Sequence, residues 1–185
     1  MERKPHKVVV VGPQGAGKTS LVNALLYGRM DWPNGTQAMS TKISTKTVVS
    51  EDAEVILQIW DWVGGTKHFA RLARTGFLTM AEAAILAYDC SPQGRRSVGD
   101  ARDIYDAIKA TPTLRYLWLV GCRSDLGADD DVEASARELY KYVQAGPMTK
   151  TFKVSVSAKN GTGMAGLVRC IAACLSGRDC DSGSY

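Results

Sequence analysis

Gly12-Pro13-Gln14-Gly15-Ala16-Gly17-Lys18-Thr19 follows directly on Val8-Val9-Val10-Val11 and precedes Leu21, Val22, Leu25 and Leu26 at helical spacing. Four β-branched residues in a row read as a buried strand, and the later apolar set reads as one face of a helix. The turn between them has glycines at both ends. Its backbone is free to wrap closely around an anion, with successive N–H groups facing inward at a helix N-terminus. This is the spacing of a phosphate-binding loop. It predicts that Gln14, Gly15, Ala16, Gly17, Thr19 and Ser20 line a polyphosphate. Lys18 then reaches the β- and γ-phosphates, and the Thr19 hydroxyl ligates Mg²⁺. A glycine-rich turn with no ligand is the bland alternative, but strand, loop and helix come in the order that binding requires.

The 185 residues suit one domain with a full hydrophobic core, and 45% apolar with 23% charged residues is ordinary for a globular chain. A net charge of +4, with Arg95-Arg96 as the only short basic cluster, is too diffuse for a nucleic-acid footprint. No run approaches the roughly 18 apolar residues of a membrane span, and Met1-Glu2-Arg3-Lys4-Pro5 has no apolar leader core. Glu2 excludes N-myristoylation and the last four residues contain no cysteine, so no lipid anchor is expected. The five cysteines, at 90, 122, 170, 174 and 180, form no Cys-x-x-Cys pair. They read as reduced, packed thiols of a cytoplasmic protein rather than as a zinc site.

Apolar strands alternate with amphipathic helices, which predicts an α/β fold with a largely parallel sheet. Strands are expected at Lys7–Val11, Ile43–Val49, Val55–Trp60, Ala83–Tyr88, Leu117–Gly121 and Phe152–Val156. The short polar link Ser50-Glu51-Asp52-Ala53 makes the second and third an antiparallel hairpin. Helices are expected at Lys18–Tyr27, through Arg74, and at Ser97–Ala110, Val132–Val143 and Met164–Leu175. The organisation is a short extension at 1–6, one domain at 7–176 and a loose tail at 177–185.

Three further motifs fall at strand ends, where open α/β sheets bind ligands. Asp61-Trp62-Val63-Gly64 places a carboxylate to hold Mg²⁺ and a glycine whose N–H approaches a γ-phosphate. In Cys122-Arg123-Ser124-Asp125, a carboxylate at Asp125 accepts two hydrogen bonds from guanine, and adenine lacks both donors. The backbone N–H of Ala158, in Ser157-Ala158-Lys159, faces the guanine carbonyl. Each of these residues has a structural alternative, Asp125 as a turn or helix cap above all.

Taken in order, Gly12–Thr19, Asp61–Gly64, Asp125 and Ser157–Lys159 resemble a Ras-superfamily small GTPase over about residues 6–176. Leu57-Gln58-Ile59-Trp60-Asp61 and Tyr88-Asp89-Cys90-Ser91 look most like the Rab branch. The resemblance implies the P-loop GTPase fold, a six-stranded mostly parallel sheet with five helices. It implies GTP or GDP with Mg²⁺ held by Thr19, Asp61 and a switch threonine, Thr36 or, if the loop is longer, Thr41. Catalysis falls to Lys18, Gly64 and Gly65, and the base to Arg123, Asp125, Ser157, Ala158 and Lys159.

The chain departs from that family in three places that matter, one of them the switch-I threonine, which falls nearest Thr36 by the usual spacing or on Thr41 if the loop is longer. Gly65 stands where a glutamine usually orients the attacking water, so slow intrinsic hydrolysis is expected. Cys122 stands in place of the asparagine of the usual guanine-reading Asn-Lys-x-Asp and supplies no amide. Reduced affinity or base selectivity is expected with binding retained, while Arg123 is still able to lie along the base. With the missing anchor, these features resemble the Rab-like GTPases of intraflagellar transport, which act as bound subunits of larger assemblies. They imply a monomeric domain that meets a protein partner through about residues 36–75, in the cytoplasm or a cilium. A permanently GTP-bound interaction module is the alternative. An ATP-using nucleotide kinase would want an arginine-rich lid and has no use for Ser157-Ala158-Lys159. Among the aromatics Trp32, Trp60 and Trp62, Trp60 is expected to pack on the sheet and Trp62 to face a partner.

Overall fold

The computed structural model describes residues 4–28, 42–50, 53–62, 69, 76–178 and 180. Six strands form one sheet: β1 (His6–Val11), β2 (Lys42–Ser50), β3 (Ala53–Asp61), β4 (Ala83–Asp89), β5 (Tyr116–Cys122) and β6 (Lys150–Ser155). Their spatial order is β2-β3-β1-β4-β5-β6. Only the β2–β3 pair is antiparallel, as its short link requires. Four α-helices lie among the described residues: α1 (Lys18–Tyr27), α2 (Arg95–Ile108), α3 (Asp130–Gln144) and α4 (Met164–Leu175). This is the P-loop GTPase fold. The fifth expected helix, ending at Arg74, falls outside the described residues except for Phe69.

Alternation along the buried strands divides the core into two layers. Val8, Val10, Ile85, Trp118 and Val120 face α1 and α4, whereas Val9, Val11, Leu86, Leu117 and Leu119 face α2 and α3. Both faces of the central strands are therefore apolar, which is why they read as continuous hydrophobic runs. The register aligns Val10 with Asp61 on one side and Ile85 on the other. Every binding loop consequently leaves from the same edge of the sheet.

Helices α2 and α3 each begin two residues earlier than apolar spacing predicts. Their first turns are polar, and a hydrophobic pattern does not register them. Gly94 starts α2 after its N–H bonds to Ser91 O at 2.8 Å. A Cβ on Gly94 would lie 1.9 Å from Asp89 O, so only glycine fits there. In α3 the Asp129 carboxylate caps the helix by accepting from Val132 N–H at 3.0 Å. Strand β6 is Lys150–Ser155 rather than Phe152–Val156, although Val156 N–H still bonds to Gly121 O at 2.7 Å.

Trp62 corrects the expectation of a partner-facing side chain. Its backbone N–H donates to Val10 O at 3.1 Å, continuing the pairing with β1, and the indole lies inward. There it is buried edge-on against Phe69, with ring centroids 4.9 Å apart. Trp60 packs on the sheet as expected, with Lys7 Nζ 3.6 Å above its ring and Phe77 edge-on at 5.9 Å. Trp32 lies outside the described residues.

Ile85 is fully buried and pairs in register with Trp118 on the neighbouring strand. Ile85→Ala would leave a cavity in the layer beneath α1 and α4, costing about 2–5 kcal/mol. Urea unfolding should show that loss as a lower midpoint with little change in slope.

Candidate functional site

β1 delivers the loop Gly12–Gly17 to the N-terminus of α1. Gly17 adopts a left-handed conformation (φ 92°) and caps the helix without a side-chain bond, so the first-turn amides point at the loop. A Cβ on Gly12 would stand 2.3 Å from Ala87 O, so the loop has to approach β4 closely at that point. Gln14 and Gly15 are exposed at the mouth, Ala16 is buried, and Thr19 and Ser20 are half-buried.

Lys18 is 7% exposed and donates to Gly12 O at 2.8 Å and to Pro13 O at 2.7 Å. Burial pulls its pKa down from 10.5 to about 8, against the opposing pull of Asp61. Asp61, at the end of β3, is 1% exposed. Burial pushes its carboxyl up from 3.8 to about 6, despite Lys18 and a hydrogen bond with Thr19. Its Oδ1 is buried with no hydrogen-bond partner. A buried carboxylate oxygen without a hydrogen-bond partner, beside a threonine hydroxyl, is the oxygen donor set that a hard divalent cation takes. Thr19 and Asp61 thus come together and fit Mg²⁺. Thr36, Thr41, Gly64 and Gly65 lie outside the described residues.

A second hollow of about 210 Å³ adjoins the loop, lined by Gly17, Ser20, Cys122, Asp125, Ala158 and Lys159 among others. Asp125 sits in a 3₁₀ turn, Ser124–Leu126. The buried Ser157 hydroxyl donates to Asp125 Oδ1 at 2.6 Å. That bond holds the carboxyl below its ordinary range, so it is an acceptor at neutral pH. Lys159 is exposed at the rim and Ala158 half-buried. The arrangement presents an oriented acceptor at one end of a slot and inward amides at the other.

Cys122 is buried beneath the loop, where a Cβ on Gly17 would meet its Cβ at 3.1 Å. Burial raises its thiol to about 12, so it stays neutral. It packs against the loop at Gly17. Arg123 takes a left-handed backbone (φ 65°), and its guanidinium pairs with Asp89. Asp89 in turn accepts from Ser91 N–H at 2.9 Å. The Arg123 stem lines the hollow while its charge is anchored on β4. Sequence reasoning missed this Asp89–Arg123 pair, for which the chain carries no spacing signal across 34 residues. It also missed that Ser157 orients Asp125.

Comparison with known proteins agrees with this geometry. The family model described as "Ras of Complex, Roc, domain of DAPkinase" matches residues 7–125. The "Ras-like GTP-binding protein RYL2" of Yarrowia lipolytica (strain CLIB 122 / E 150) is 30% identical over 129 residues, 70% of this chain and 53% of that protein. The chain therefore spans about half the length of this curated relative.

The Asp61 carboxyl binds its proton more tightly folded (about 6) than unfolded (3.8). Its contribution to nucleotide-free stability is full below pH 3.8 and is lost as pH rises through about 6. Asp61→Asn, which mimics the protonated carboxyl, should raise the nucleotide-free melting temperature at pH 7.5. That gain should fall to about half at pH 5 and approach zero only below about pH 3.8, in parallel thermal melts.

Proposed function

The chain belongs to the Ras superfamily of small GTPases, and from that premise we propose that it is a GTP-binding switch subunit that hydrolyses GTP slowly. The observation that carries the reading is that Lys18 and the orphaned Asp61 oxygen stand at the loop whose Gly17 also lines the hollow holding Asp125, oriented by Ser157. The loop amides and Lys18 receive the phosphates, and the carbonyls that now occupy the ammonium give way to phosphate oxygens. Asp125, held in plane by Ser157, accepts from the guanine N1–H and amine; adenine would leave it unpaired. Thr19 and Asp61 would hold Mg²⁺, which neutralises charge on the β- and γ-phosphate oxygens when bound.

Water attacks the γ-phosphorus as the bond to the bridging oxygen breaks, so the protein's task is positioning and charge stabilisation. Gly65 offers no side chain to orient that water, and this supports a slow intrinsic rate. Likeness of the Gly12-Pro13 opening and the Trp60-Asp61…Gly64-Gly65 segment to Rab-like intraflagellar-transport GTPases supports a place in an intracellular transport assembly. The proposed location is cytoplasmic, extending to the cilium. The proposed contact with a protein partner is through residues 36–75, with Trp62 withdrawn from that surface by its burial. Gly65 also favours a second reading, a GTP-bound interaction module that never turns over.

Single-turnover hydrolysis on preloaded protein tests the proposal. The parent should release phosphate slowly, and Gly65→Gln should be faster by about tenfold, a barrier change of roughly 1.4 kcal/mol. A background rate in both proteins would leave only the non-hydrolysing module.

A further inference from the structure

Cys170 and Cys174 lie one turn apart on α4, with Sγ atoms turned into the layer that α4 shares with the sheet. Past the helix end the chain folds back on itself. Gly177 N–H bonds to Cys174 O at 3.1 Å and Arg178 N–H to Ala173 O at 2.9 Å. This return brings Cys180 to the same place, half-buried and packed on the same apolar cluster. The three sulfur atoms all lie within 4.8 Å of one another.

Separations within 4.8 Å are compatible with one shared ion. A metal ion about 2.3 Å from each of three thiolates holds the sulfurs roughly 4 Å apart. A disulfide requires about 2.05 Å and satisfies only two of the three. A shared ion engages all three sulfurs, whereas a disulfide leaves one out. A second feature points the same way: the buried Trp118 Nε1–H donates to Cys170 Sγ at 3.3 Å. An indole N–H aimed at a sulfur is the kind of outer-shell donor that steadies a metal-bound thiolate. All three ligands are sulfur, which selects thiophilic ions over Mg²⁺ or Ca²⁺.

We propose that Cys170, Cys174 and Cys180 bind one thiophilic d¹⁰ metal ion, Zn(II) with a solvent ligand or three-coordinate Cu(I). Three metal–sulfur bonds form as three thiol protons pass to solvent, and no electron is transferred. Contact with Cys174 and burial hold the Cys170 proton above the ordinary thiol range, so the ion displaces a firmly bound proton. The site lies in the second half of α4, whose first residue follows the Ser157–Gly163 loop of the base slot. At 1.5 Å per residue, Cys170 and Cys174 stand roughly 9–15 Å along the helix from that end. The ion would fasten the segment after α4 to the sheet without touching the nucleotide.

The test uses tag-free, full-length, reduced protein stripped with chelator, under nitrogen, titrated separately with Co(II) and with Cu(I) against a bicinchoninate competitor. Binding should saturate at one equivalent. With Co(II), an intense near-ultraviolet thiolate-to-cobalt band that Zn(II) abolishes assigns zinc, and Co(II) at the oxygen-ligated nucleotide site gives no such band. Retention of one Cu(I) without a cobalt band assigns copper. Cys180→Ser should abolish the band or the retention while leaving nucleotide affinity at the parent level, which shows the variant is folded. Cys170→Ser should do the same to the metal. Failure of both ions to bind stoichiometrically, or unchanged binding in Cys180→Ser, would overturn the proposal.

Discussion

Lys18 and Asp61 are both buried, and neither is held comfortably in its charged form. Burial draws the lysine down to about 8 and the aspartate up to about 6, although the two partly compensate each other. Buried ionisable groups are costly unless paired and fully hydrogen-bonded, and Asp61 Oδ1 has no partner. A polyanion beside Lys18 and a cation beside Asp61 relieve both penalties together. That supports the proposed magnesium–triphosphate occupant, and the sheet holds these two side chains in place.

The sheet does that work through register. Val10 is paired with Asp61, and β1, β3, β4, β5 and β6 run parallel, so their C-terminal ends converge on one edge. Gly12 presses against Ala87 at the end of β4, and Cys122 at the end of β5 lies under Gly17. Asp89 ties Arg123 across the same edge. These three contacts join the strand ends that carry the proposed phosphate and base halves of the site.

Much of this was legible in the chain because the relevant signals are local. The valine run, the glycine spacing and Lys18-Thr19 specify strand, loop and helix within twenty residues, and Asp61 and Asp125 announce themselves by following apolar strands. What escaped was non-local or polar. Trp62 looked exposed because a loop position after a strand carries no periodicity. Its inward packing against Phe69 is a tertiary fact. The first turns of α2 and α3 are built on Gly94 and Asp129, which an apolar period does not count. The thiol cluster depends on the chain doubling back after α4, and no Cys-x-x-Cys spacing foretells it.

Isothermal titration of nucleotide-free protein with GTP in magnesium buffer, beside Lys18→Ala, addresses the central claim most directly. The parent should bind one GTP tightly with a large heat. The variant, lacking the buried ammonium that meets the β- and γ-phosphates, should lose at least about a hundredfold in affinity, roughly 2.7 kcal/mol. Equal affinity in the two proteins, or no heat in the parent, would contradict the account.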